Sequence, residues 1–452
     1  MDAFFPSSST RSWLFRAAVL PLMAAALATL AMPVRPAAAL PGGKAAAPSP
    51  GVVIETLSAA PDQVSGGDVL VRIRVPGRRP LERLRVFRNE ADVTDAFAPE
   101  NGRHALIGLV DGLELGWNTL RVSPNLRGQG RAAELAVKNH PISGPIFSGP
   151  QQQPFVCTTA RVGLGQPLVD NMDAIGIPVA REDADGNYPR DGRGYPTADA
   201  EIVGWSKDCA GEKWIEYRYR TTAGNFAPLA DPMAPLPADI AMTTTLGGLT
   251  VPYIVRWERG TINRFIYSVA MLAPTTEADP LEPDDGLWNG RLVFSLDGGV
   301  AIGHTQGTIG TGTMLYHDVL SLGYAVVTSS ALRTNTTYNL QVGGETALML
   351  KEHFVETHGI PLYTVGVGGS GGANQQHIYG QNHSGLLDAA IPQYSYSDMV
   401  TQTIHVGDCE LLEQYFDVTD GGNPKLSPDG GVTPALRRKG DLQGDLRIVS
   451  AE

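Results

Sequence analysis

The sequence is poor in cysteine, aromatic residues and charge, with 3 cysteines, 7% aromatics and 18% charged residues in 452. Three cysteines are too few to build a disulfide scaffold, so folding must rest on an apolar core, which 42% hydrophobic content supplies. Basic excess is missing too. A formal net charge of −12 and the lack of any lysine- or arginine-rich run argue against nucleic acid or an anionic membrane as partner, because an acidic field attracts neither. Long apolar runs are confined to the N-terminus. There Arg11 and Arg16 precede AAVLPLMAAALATLA (17–31), and AAA (37–39) supplies small residues for cleavage, so residues 1–39 read as an export signal. That run has 15 residues and contains Pro21, too short for a comfortable bilayer span, and no membrane association is expected after its removal. The expected location is secreted or periplasmic. In an oxidising compartment Cys157 and Cys209, which share one middle segment, are the preferred disulfide. Three pairings are open on spacing alone, and buried thiols are the alternative.

What is abundant is glycine, 52 residues, and its placement divides the chain. Residues 40–51 (LPGGKAAAPSPG) are a linker. Over 52–141, short β-type runs such as VLVRIRV and HALIGLV recur between turn signals, the pattern of an immunoglobulin-like β-sandwich without that fold's Cys and Trp hallmarks. Its role is open between packing and binding. Residues 142–260 are a loop-rich connecting segment. Within it Asp183, Asp185 and Asn187 are spaced like the start of a calcium loop, but no glutamate stands at the twelfth position, so a solvated turn is expected and no metal. From 261 to 416 the runs INRFIYSVAML, RLVFSL, YAVVTSSA, LYTVGVGG and LLDAAIP read as strands buried on both faces. Helical patterns follow the third and fourth. Such alternation implies α/β architecture with a mostly parallel sheet. Residues 417–452 are a polar tail.

The chemistry gathers at VGVGGSGGANQQHIYG, where Ser370 fits G-x-S-x-G through Gly368 and Gly372. A nucleophile elbow requires a buried strand, a strained turn and an immediate helix, and the flanking residues supply that order. Gly371 would present its N–H to an oxyanion at the helix start. RLVFSL runs into DGGVAIGHTQG, where Gly298 and Gly299 stand where the second oxyanion donor is needed. His304 follows that loop but precedes the serine, against the Ser, Asp/Glu, His order of such enzymes, and is expected to be a loop residue. His377, His383 and His405 follow Ser370 too closely for a base.

The stretches NHPISGPIFSGP, ERGTINRFIYSVAMLAP, GHTQG, ETALMLKEHF, GGSGGANQQHIYGQNHSGLLDAAIP and DCELLEQYF resemble a family of secreted bacterial proteins catalogued as a domain of unknown function. The resemblance covers about residues 52–416. It implies an α/β-hydrolase core with Ser370 as nucleophile, Gly371 in the oxyanion hole and no cofactor. More distantly the chain resembles tannases, feruloyl esterases and hydroxybutyrate-oligomer hydrolases. Gly369 departs from the tannase pattern, which has cysteine before the nucleophile. Family members continue past this length, and the resemblance implies that the acid and histidine lie beyond residue 452 and that the core is incomplete here. The expected function is a secreted serine hydrolase of small or oligomeric carboxylic esters. The rival is a non-catalytic exported polymer- or glycan-binding protein with a relic hydrolase core.

Overall fold

The computed structural model describes residues 51–75, 80–124, 132–232, 234–274, 285–398 and 404. The export signal, nearly all of the linker, the polar tail, His405 and Cys409 lie outside these residues.

Residues 53–140 form two sheets. One runs Val53–Thr56, Val69–Arg74, Ala105–Val110, Phe97–Pro99 in spatial order; the other runs Val64–Ser65, Ala133–His140, Gly116–Pro124, Leu84–Arg88, Ala91–Asp92. Alternation drives their packing. Val69, Val71 and Ile73 are buried while Leu70 and Arg72 are only partly so, and these side chains meet Val86, Leu120, Val122 and Val137 of the other sheet in one apolar cluster.

A third, larger sheet has eight strands: β1 (Trp214–Arg220), β2 (Phe226–Leu229), β3 (Ile254–Ile262), β4 (Phe265–Leu272), β5 (Arg291–Ser295), β6 (Ala325–Ser329), β7 (Tyr363–Gly369) and β8 (Ala389–Gln393). Their spatial order is β2-β1-β3-β4-β6-β5-β7-β8. The expectation of a mostly parallel sheet needs correction. β5 pairs in parallel with β6 and β7, and β7 with β8, but the four pairings on the other side, β1 with β2 and β3, and β4 with β3 and β6, are antiparallel. The cause is a hairpin. Asn263 (φ 50°) and Arg264 (φ 69°) both take left-handed backbone, turning β3 into β4 in two residues without glycine. The expected boundary between residues 260 and 261 falls inside this hairpin, and the segment read as loop-rich supplies three strands of the sheet. β3 was hidden because IVRWERGTI looks like a surface alternation, whereas Arg256 and Glu258 are buried, paired with each other, and Glu258 also accepts from Tyr267 and bonds His353.

Every residue of β4 and of β6 is buried, as expected of strands covered on both faces, while all five residues of β8 are exposed, contrary to that expectation. Between β6 and β7 runs α1 (Leu340–His358), capped by the Asn339 side chain, which accepts from the N–H groups of Gln341 and Val342 at 3.2 Å each. Its Ala347, Leu350 and Phe354 are fully buried against Leu292 and Phe294 of β5. The next helix, α2 (Gly371–Asn382), begins directly at the end of β7. No helix among the described residues is long and apolar enough to cross a membrane.

Candidate active site

β7, which lies between β5 and the terminal strand β8, ends at Gly369, and α2 begins at Gly371, so Ser370 alone makes the turn. Its backbone is φ 56°, ψ −122°, a conformation that L-residues rarely hold and that persists only where surroundings enforce it. The enforcing contacts are visible. A Cβ on Gly368 would overlap the Leu296 carbonyl oxygen, and one on Gly372 would stand 2.7 Å from the same atom. Thus two glycines let β5 close on the turn from below. Gln376, one turn along α2, donates through Nε2 to the carbonyls of Gly368 (3.1 Å) and Gly372 (3.0 Å), tying both sides of the turn together. The Ser370 N–H donates to Gln393 O of β8 at 3.0 Å.

The loop after β5 approaches from the other side. A Cβ on Gly298 would lie 2.9 Å from Ser370 Cβ and 3.2 Å from the Gly371 nitrogen, so this glycine abuts the serine. Gly299 has φ 105° and is held by Thr334, whose hydroxyl donates to its carbonyl. The two glycines differ as donors. Gly298 N–H donates to the Asp297 carboxylate at 2.9 Å, whereas the N–H groups of Gly299 and Gly371 have no acceptor among the described residues. Asp297 is in turn paired with Arg333 Nε at 2.9 Å, and Arg333 also donates to Thr308 O. This ion pair fastens the β5 loop to the loop after β6. Thr334, Asn335 and Gly371 pack in the same place: a Cβ on Gly299 or Gly371 would overlap Asn335 or Thr334 respectively.

The pattern of one described family extends over residues 54–436. The chain belongs to the tannase-like family of unknown function (DUF6351). No curated protein sequence matches it at a significant level. Among solved structures this tannase-like chain is similar to tannin acyl hydrolase from Aspergillus niger, at 14% identity over 45% of this chain and 36% of that one, TM-score 0.26. It is similar also to feruloyl esterase B from Aspergillus oryzae, at 13% identity over 43% and 36%, TM-score 0.27, and to an esterase from Aspergillus oryzae, at 15% identity over 43% and 37%, TM-score 0.25. The tannase-like chain therefore spans little more than a third of the length of these proteins.

None of the described histidines meets Ser370. His304 lies within reach of Gln152 (Nε2 to Nδ1 3.3 Å), His377 is exposed on α2, and His383 packs against Phe147 and Tyr379, where burial lowers its pKa. The Ser370 hydroxyl has no hydrogen-bond partner among the described residues. Away from the turn, Cys157 and Cys209 form a disulfide with Cα atoms 5.2 Å apart. Asp183 does not wait for a cation: its Oδ1 accepts the N–H groups of Asp185 (2.9 Å) and Asn187 (2.8 Å), a side-chain-closed turn. Among the described residues no cluster of three or more His, Cys, Asp or Glu side chains is arranged to hold a metal.

Sequence reasoning missed Asp297, Arg333, Thr334 and Gln376. Asp297 was adjacent to the quoted glycines, between β5 and Gly298, and could have been noted there. The other three carry no motif and are placed only by the packing of β6 and α2 onto β5.

Proposed function

We propose that this tannase-like chain is an exported serine hydrolase of carboxylic esters in which Ser370 is the nucleophile on a strand–turn–helix elbow. The observation that carries this reading is the Ser370 backbone, φ 56° and ψ −122°, held between Gln376 and the Leu296 carbonyl. A strained turn of this kind raises the hydroxyl at the sheet's end, where a carbonyl carbon can approach it. As Ser370 Oγ bonds to that carbon, the carbonyl electrons move to oxygen, and donors aimed at the new oxyanion lower the barrier. Gly371 N–H, at the positive end of α2, and Gly299 N–H are free to serve. Gly298 is the spacer: its lack of a side chain admits Ser370, while its N–H is occupied by Asp297. The proton of Ser370 passes to a base outside the described residues, the oxyanion's electrons return to carbon as the ester C–O bond breaks, and the alcohol leaves carrying that proton. Water then attacks the acyl-enzyme, releasing the carboxylic acid and restoring the Ser370 hydroxyl.

Export is supported by the signal pattern of residues 1–39 and by the Cys157–Cys209 pair, which suits an oxidising compartment. Residues 52–141 are read as an immunoglobulin-like module that packs on the hydrolase core. A fluorophosphonate probe tests the central reading. The wild-type chain should be labelled covalently and Ser370→Ala should not. Equal labelling of the two would sink the assignment of Ser370.

A further inference from the structure

A cavity of about 780 Å³ lies outside the elbow, lined by Val156, Ala160, Arg161, the loop 190–194 and Tyr195. Its charge contrasts with the acidic chain. The lining holds three guanidiniums, Arg161, Arg190 and Arg193, against one carboxylate, Asp191. Asp191 is already engaged, because its Oδ1 accepts the N–H groups of Arg193 (2.8 Å) and Tyr195 (2.9 Å), and these bonds hold its pKa down. Among the described residues none of the three arginines forms an ion pair with a carboxylate. Arg190 instead lies over the Tyr188 ring, 5.5 Å from its centroid.

The walls are fixed before any ligand arrives. Gly194 O accepts from Tyr188 OH at 2.7 Å, Gly194 N–H donates to Asp191 O at 3.0 Å, and Arg190 bridges to Pro196. Tyr195 OH donates to the carbonyl of Cys157, whose disulfide to Cys209 anchors the opposite wall. A Cβ on Gly194 would come within 2.9 Å of Ala160 Cβ, so the loop seats tightly on the 156–161 segment. The three arginine side chains are exposed, so this frame fixes their backbone positions, and the ordering entropy still lost on binding an anion is that of the side chains.

We infer that the cavity framed by Arg161, Arg190 and Arg193 is a binding site for an organic polycarboxylate. Planar guanidinium forks match carboxylates two bonds at a time, and three of them spread around a cavity this large suit several carboxylates on one molecule better than a single compact oxyanion. The site stands apart from Ser370 and does not depend on the proposed hydrolase activity.

Titration calorimetry of the full chain at fixed ionic strength tests the inference with citrate and inorganic phosphate as probes, and with trimethyl citrate on Ser370→Ala, so that the ester is not turned over. Citrate should bind with one-to-one stoichiometry, phosphate about tenfold or more weaker, and the neutral triester not at all. Replacing Arg161, Arg190 and Arg193 together by glutamine should weaken citrate about a hundredfold or more, and Arg193→Gln alone, on an exposed turn where folding is not at stake, about tenfold. Ser370→Ala should leave citrate binding unchanged, so failure here and failure of the nucleophile assignment are read separately. No binding of citrate to the wild type, unchanged citrate affinity in both arginine variants, phosphate binding as tight as citrate, or equal binding of the triester would each overturn the inference.

Discussion

In the two-sheet module of residues 53–140 the shared core is aliphatic, built from valine, leucine and isoleucine, and Gly102 and Gly116 sit at positive φ in open space. Around β5, β7 and α2 the interior is different: Gln306, Thr328, Glu345, Thr364, Gln375 and Gln376 are buried, and Gly298, Gly368 and Gly372 are pressed against neighbouring backbone or side chains. In the first region Gly102 and Gly116 make turns, which many residues could approximate at a modest cost, although Gly108 of the same module is pressed against the Ala96 carbonyl. In the second, Gly298, Gly368 and Gly372 make room, which nothing larger can supply. Buried polar groups occur in both regions, Ser65, Asn118 and Asn139 among them in the module, and they are costly unless bonded. Gln376 ties the turn, Glu345 accepts from the backbone of Ile146, Phe147 and Ser148, and Gln306 donates to the carbonyls of Cys209 and Arg264.

The largest effect that would break this comparison is at the serine itself. Ser370→Ala is expected to lower ester turnover at least about a thousandfold while leaving the urea unfolding midpoint near that of the wild type. Activity retained within tenfold would place the chemistry elsewhere. Next comes Gly368→Val, whose side chain must displace the Leu296 carbonyl; a loss of about 3 kcal/mol or more is expected from denaturant titration. Gly102→Ala in the module meets no neighbour within 4 Å, and only its φ of 73° is penalised, so about 1 kcal/mol is expected. Similar costs at both sites would erase the distinction between turn and room.

Joining the cysteines sharpens the same comparison for the segment that lines the arginine cavity. The disulfide closes a separation of 52 residues, and replacing Cys157 and Cys209 together by serine should cost about 3 kcal/mol in non-reducing denaturant titration.

The smallest expected effect is a pH dependence at the seam between module and helix α1. Glu352 accepts from the N–H and hydroxyl of Ser65, yet burial pushes its pKa to about 8, and burial with the neighbouring Glu352 and Asp68 pushes Glu356 to about 10. Both lie above the ordinary 4.5, so the folded state holds protons that the unfolded chain releases. Their contribution is fullest below about pH 4.5 and declines as pH rises towards 8 for Glu352 and 10 for Glu356. Glu258 runs the other way. Burial opposes ionisation, but the His353 hydrogen bond and the charges of His353 and Arg256 win, and its pKa falls to about 2, so its stabilisation is lost only as pH drops from 4.5 through 2. Stability measured between pH 5 and 8 should therefore fall with pH, and Glu352→Gln should flatten that slope. An unchanged slope in the variant would remove Glu352 as its source.

Much of this was legible in residue order. The alternation of VLVRIRV marked an inward face, and YTVGVGG followed by SGGANQQ marked strand, turn and helix, because period and glycine placement are local signals. The antiparallel half of the large sheet was not legible. Asn263 and Arg264 make a two-residue hairpin without glycine, and β3 buries charges that satisfy one another across strands and from α1, partners that lie far away in sequence. The exposure of β8 was hidden for the complementary reason: AAIPQ is apolar, and only its position at one end of the described sheet leaves it uncovered.

By itself the sequence determined that Ser370 stands between a strand and a helix with glycines on both sides, since those preferences are set within a few residues, whereas the strand expected to be buried on both faces buries only Thr364 and Gly366. Only the tertiary structure decided which glycine N–H remains available. Asp297, anchored by Arg333 from another strand's loop, takes the N–H of Gly298 and leaves those of Gly299 and Gly371, because hydrogen-bond capacity is shared out among groups that folding brings together.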